Sequence, residues 1–260
     1  MRLILYAGFH KTGTSSVQRA LSQNNALLDP FVRVLMKQDM TALCEAARAW
    51  SISRDTLDHG LLQYECAELI SSLNPDDPRP VLLASEDLGG HMPGRFGLKT
   101  YDAVPDLMGT IRQTATLVHP DVDMSFYFST RAKEAWLRSC YAQHLRASDL
   151  TADEGDYVKN HQTSANFAPI LEKVRDLVAP HSVTSVSLEA SQQGENGPLG
   201  LILDLLGAPQ SLRHKLTPVP AINTRLPKTL QQKLLEINRS PLPYKERHQQ
   251  KQSLIAGWHE

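Results

Sequence analysis

Two rhythms of apolar and polar residues alternate along the chain. Short apolar runs stand at residues 2–7, 81–84 and 125–129, and a weaker one, carried by Val183 and Val186, at 182–188. Runs of this length, bounded by turn residues, read as strands of a parallel sheet buried on both faces. Between them apolar residues recur at helical spacing. Val17, Ala20, Leu21, Leu27 and Leu28 predict a helix from Thr14 that runs until Pro30. Further helices are predicted near residues 40–50 and 56–72, around Trp136 to Leu145, around Phe167 to Val178, and over 199–206 and 227–238. Residues 86–105 carry six glycines and prolines and predict a long loop, with the chemistry that long loops at a sheet edge tend to hold. Strand and helix in alternation predict an α/β fold: a parallel sheet with helices on both faces in three layers. No repeat or linker interrupts the 260 residues, so a single domain is expected, with a polar, loosely held tail from about 240.

Composition narrows the function. Hydrophobic residues make up 41% and charged residues 21%, enough to build a core and too ordered a mixture for wholesale disorder. The 27 Lys+Arg nearly balance the 28 Asp+Glu, so no global basic field draws nucleic acid or an anionic membrane; a local basic pocket is still allowed. Cys44, Cys66 and Cys140 lie far apart without metal-ligand spacing and read as small buried hydrophobes in a reducing compartment. The first apolar run is too short for a signal sequence, and no run reaches transmembrane length. A cytoplasmic protein without membrane or nucleic-acid partners is expected; oligomeric state is not legible.

The richest segment is Gly8-Phe9-His10-Lys11-Thr12-Gly13-Thr14-Ser15-Ser16. It leaves a strand and opens a helix, the context in which backbone amides and a helix start, worth roughly half a positive charge, gather an anion. The amides of Thr12 to Ser15 and the hydroxyls of Thr14 and Ser15 are the candidate donors. This is not the usual nucleoside-triphosphate loop, which sets its lysine after the second glycine. Here Thr14 follows Gly13 and the lysine, Lys11, lies inside the turn.

With His10 before it and Ser15, Ser16 and Gln18 after it, Lys11-Thr12-Gly13-Thr14 resembles the 5′-phosphosulfate loop of sulfotransferases, in the bacterial-type branch with an HKTGT loop. The resemblance implies a P-loop-like sulfotransferase fold and 3′-phosphoadenosine 5′-phosphosulfate (PAPS) as sulfuryl donor, with no metal. His10, Lys11, Thr12, Gly13, Thr14 and Ser15 then surround the 5′ end. The family also places an arginine at the end of a central strand and a serine eight residues on, both on the 3′-phosphate; Arg131 and Ser139 have that separation. Glu86, just after the run 81–84, resembles the glutamate that serves as base in bacterial and carbohydrate sulfotransferases. His91, otherwise an exposed residue of the glycine-rich loop, is the second candidate and Asp87 the third.

On this resemblance Lys11 neutralises the leaving phosphate, Arg131 and Ser139 orient the donor, and Glu86 or His91 takes a proton from the hydroxyl or amine of a carbohydrate or other small acceptor. The resemblance is tight over residues 3–21 and 125–145 and weaker over 81–88. The glycine- and lysine-rich segment that closes over the nucleotide in many cytosolic members is missing; residues 221–227 are only distantly like the matching region of bacterial ones. Two other readings stand beside it: a kinase of nucleotides or small molecules, and a non-catalytic nucleotide-binding member of the fold.

Overall fold

The computed structural model describes residues 1–218 and 226–259. Five strands, β1 (Arg2–Tyr6), β2 (Arg33–Met36), β3 (Val81–Ala84), β4 (Asp123–Thr130) and β5 (Ser182–Ser187), form one sheet in the order β2-β3-β1-β4-β5, all parallel. The helices are α1 (Thr14–Gln23), α2 (Asn25–Leu28), α3 (Thr41–Ser53), α4 (Thr56–Ser71), α5 (Val104–Val118), α6 (Lys133–Ala147) and α7 (Glu154–Asn160). They continue as α8 (Ala168–Val178), α9 (Leu188–Ser191), α10 (Gly200–Leu205), α11 (Gln210–Arg213), α12 (Lys228–Arg239) and α13 (Tyr244–His259).

Strand side chains alternate between faces, and this alternation splits the core in two. Leu3, Leu5, Leu83, Met124, Phe126 and Phe128 point into a large cluster with α3, α4, α5, α6, α8 and α12. Ile4, Tyr6, Leu82, Ala84 and Tyr127 point into a smaller one with α1, α10 and α11. Both faces of the sheet are therefore covered, as the patterning predicts. The three cysteines are free and buried. No described helix is long and apolar enough to cross a membrane.

Four local expectations change. The helix from Thr14 breaks at Asn24, whose side chain donates to Ala20 O and Thr217 O and accepts from the Thr217 amide. The strand β2 and the helix α7 carry no strong pattern in the sequence, and Asp153 caps α7 through the Asp156 amide. The end of the predicted loop at Pro105 is a helix start: proline near the first position of α5 has no amide to lose. Residues from 240, expected as a loose tail, form α13. It is pinned by Lys251, 3% exposed, which donates to Ser148 O and Asn238 Oδ1, and by an Arg247–Asp149 ion pair at 2.8 Å. Of the segment compared with bacterial relatives, residues 221–225 lie outside the described residues.

Candidate functional site

Because every strand runs the same way, the loops after β3, β1 and β4, neighbours in the sheet, leave from one edge, where ligands gather in open parallel sheets. The ladder continues past the strand ends through Ser85 N to Tyr6 O (3.2 Å) and Phe9 N to Ser129 O (3.5 Å). That continuation carries the glycine turn, Glu86 and Arg131 to the same rim.

The turn after β1 is shaped by left-handed backbone at Lys11 (φ 66°) and Gly13 (φ 98°). A Cβ on Gly13 would lie 2.6 Å from Leu188 Cδ1, so both conformation and space favour glycine there. The outer side of the turn is held by its carbonyls: Trp136 Nε1 donates to His10 O (2.8 Å) and Arg131 Nη1 to Lys11 O (3.1 Å). Thr12 is buried, and its hydroxyl donates to Phe9 O and lies 2.6 Å from Ser129 Oγ, so it fixes the turn from within. Helix α1 begins with no side-chain cap and no acidic residue in its first turn. Its leading amides and positive dipole end therefore stand open to an anion.

Gly13, Thr14 and Ser15 line a cavity of about 360 Å³ together with His10, Lys11, Glu86, Asp87 and His91. Lys37, Arg48, Arg95 and Arg146 also face it, so five Lys and Arg oppose two carboxylates. Lys11 Nζ donates to Gln143 Oε1 (3.3 Å), an oxygen that also accepts from Arg146 Nη2 (3.1 Å). Burial, and then the charge of Arg146, lower the pKa of Lys11. Glu86 opens the short 3₁₀ turn after β3, and its Oε2 accepts from Gln18 Nε2 on α1 at 2.8 Å. Base chemistry needs only the other oxygen.

Asp87 and His10 are occupied with each other. Lys37 Nζ reaches Asp87 Oδ2 at 2.5 Å, and His10 Nε2 lies 3.5 Å from Asp87 Oδ1. Burial alone would raise the Asp87 pKa; the hydrogen bonds and charges of His10 and Lys37 outweigh it and hold the group well below the carboxylate range. The other His10 nitrogen lies 3.2 Å from Tyr101 OH. With both nitrogens partnered, His10 is a strut. His91 is not exposed as its loop suggests: it is half-buried, its ring packs 4.7 Å from Phe96, and its amide donates to Ser51 Oγ (3.0 Å). Burial, then the positive charge of Arg48, push its pKa down to about 4, so it is neutral near pH 7.

Arg131 and Ser139 do not line this cavity. Arg131 follows β4 directly and sits against the outer flank of the turn; its Nε is buried without a hydrogen bond and lies 3.9 Å from Glu189 Oε1. Ser139 stands on α6 one turn before Gln143, and residues four apart share a helix face. Arg131 is thus on the β4 side of the turn, and Ser139 shares its helix face with Gln143, which does line the cavity.

Sequence reading missed Lys37, Arg48, Arg95, Gln143 and Arg146. One of them left a signal: Arg48 interrupts the buried face of α3 formed by Cys44, Ala47 and Ser51, and a cation on such a face calls for a polar cavity beside it. Among the described residues no group of three or more His, Cys, Asp or Glu is arranged to hold a metal ion. No family model, no curated protein and no solved structure matches the chain.

Proposed function

We propose that the chain is a PAPS-dependent sulfotransferase acting on the hydroxyl or amine of a small or carbohydrate acceptor, with the P-loop-like fold of that family. The observation that carries this reading is the opposition, across one cavity, of a lysine-bearing anion turn on an uncapped helix and the carboxylate of Glu86. A second feature supports it: an arginine at the end of the strand beside β1, in hydrogen-bond contact with the carbonyl of that same lysine.

In the transfer the acceptor oxygen forms a bond to sulfur as the bond from sulfur to the 5′-phosphate oxygen breaks. The proton of the hydroxyl goes to Glu86. The electron pair of the broken bond stays on the phosphate, whose charge meets Lys11 and the amides at the start of α1. Preorganised charge of this kind is usually the largest single catalytic contribution. Gln18 holds the Glu86 carboxylate in place from α1, so base and anion turn move as one unit.

Calorimetry with 3′-phosphoadenosine 5′-phosphate tests the reading. Binding is expected, with adenosine 5′-phosphate much weaker. Equal affinity for the nucleotides with and without the 3′-phosphate overturns it.

A further inference from the structure

The cations facing the cavity are not placed as donor binding alone requires. Lys11 and Arg146 belong to the turn side, tied together through Gln143. Arg48, on α3, and Arg95, in the loop after β3, come instead from the β3 side of the sheet. Arg48 has a distant carboxylate, Asp87 Oδ2 at 3.9 Å, which Lys37 already holds at 2.5 Å. Arg95 makes no ion pair among the described residues, and its Nε is buried without a hydrogen bond. Two half-buried guanidinium groups face one cavity, one without an ion pair and the other near a carboxylate that Lys37 and His10 already hold, an unfavourable arrangement unless a further anion joins them. Their field is felt locally: burial first, and then Arg48, lower the pKa of both Arg95 and His91.

Resting on the sulfotransferase reading, we propose that the acceptor is itself anionic: a hydroxyl compound bearing a carboxylate or phosphate group. Arg48 and Arg95 bind that group, and the hydroxyl is thereby presented to Glu86. Guanidinium is suited to both anions, since its fork of donors matches two oxygens at once. An acceptor bound in this way is selected by charge at one end and by the position of its hydroxyl at the other.

The test uses two matched pairs of probes on protein saturated with 3′-phosphoadenosine 5′-phosphate. The pairs are 4-nitrophenyl glucuronide against 4-nitrophenyl glucoside, and glucose 6-phosphate against glucose, each titrated by calorimetry. The charged member of at least one pair is expected to bind about tenfold or more tightly than its neutral partner, and the pair that shows it tells carboxylate from phosphate. Arg48→Gln and Arg95→Gln should each remove most of that preference while leaving nucleotide affinity within about threefold, and melting curves check that both fold. Charged probes that bind no better than neutral ones, including no binding of either, overturn the inference, as does a preference that survives both substitutions. Failure of the nucleotide itself to bind falls instead on the sulfotransferase reading, and is scored separately in the same titration.

Discussion

The two walls of the cavity are built in opposite ways. The turn wall is the seven contiguous residues between β1 and α1 with the first residues of that helix, and its geometry is set locally by two left-handed residues and an uncapped helix start. The facing wall is assembled from Lys37 after β2, Arg48 on α3 and Arg95 in the loop after β3. None of these is near the others in sequence; the order β2-β3-β1 brings them together. A short turn can carry its own chemistry in its residues. A wall of this kind exists only once the sheet is paired, so its charge is invisible until then.

Substitutions can pull the two apart. The largest effect is expected at Glu86, between them: Glu86→Gln keeps an acceptor for Gln18 but removes the proposed base, and on that reading steady-state transfer should fall by about 10²–10⁴ with nucleotide affinity nearly unchanged. A variant that transfers normally would move the base to His91. Next is Arg131→Ala: on the proposed donor binding it removes a charged partner of the 3′-phosphate and should weaken 3′-phosphoadenosine 5′-phosphate by about 2–5 kcal/mol in calorimetry while sparing adenosine 5′-phosphate.

Acid should loosen the β3 wall before the turn. Gly94 of that wall (φ 90°) packs against the His144 ring so closely that a Cβ there would run into it. His144 is 1% exposed, its Nδ1 lies 2.9 Å from Tyr157 OH, and its Nε2 is buried without a partner. Burial, then the charge of Arg95, push its pKa from the ordinary 6.5 to about 4. The unfolded chain thus binds a proton that the folded one refuses between these values, and stability drops as pH falls through this window. At pH 5 the loss is about 2 kcal/mol for this group, readable as a lower urea midpoint than at pH 7. Hydrogen exchange in residues 90–100 should rise first; equal acceleration in residues 8–16 would erase the distinction between the walls. Gly13→Ala adds backbone strain and a crowded contact with Leu188, and should cost about 1–3 kcal/mol in denaturant titrations and weaken anion binding without altering Arg48 or Arg95.

The same contrast explains what the sequence discloses. The buried strands and the helices α3, α4, α6, α8 and α12 are legible because their burial patterns are periodic or continuous over many residues. β2 is missed because Arg33-Val-Leu-Met is short and only half-buried at the sheet edge, and α5 because Pro105 reads as a breaker although it sits at a helix start. In the site, residues 10–15 and Glu86 announce themselves through position after a strand. Arg48 does so only weakly, as a cation on the buried face of α3, and Arg95 not at all, because a cation in a glycine-rich loop looks like solvated surface until the sheet sets it beside the other. His91 reads as loop surface for the same reason.

Leu188, immediately after the edge strand β5, rests where a Cβ on Gly13 would go. The far margin of the sheet therefore acts as a set screw on the anion turn. A bulkier or smaller residue at that remote position would reshape the turn while leaving every cavity-facing side chain as it is, so whatever affinity the turn has for an anion can be adjusted from outside the cavity altogether.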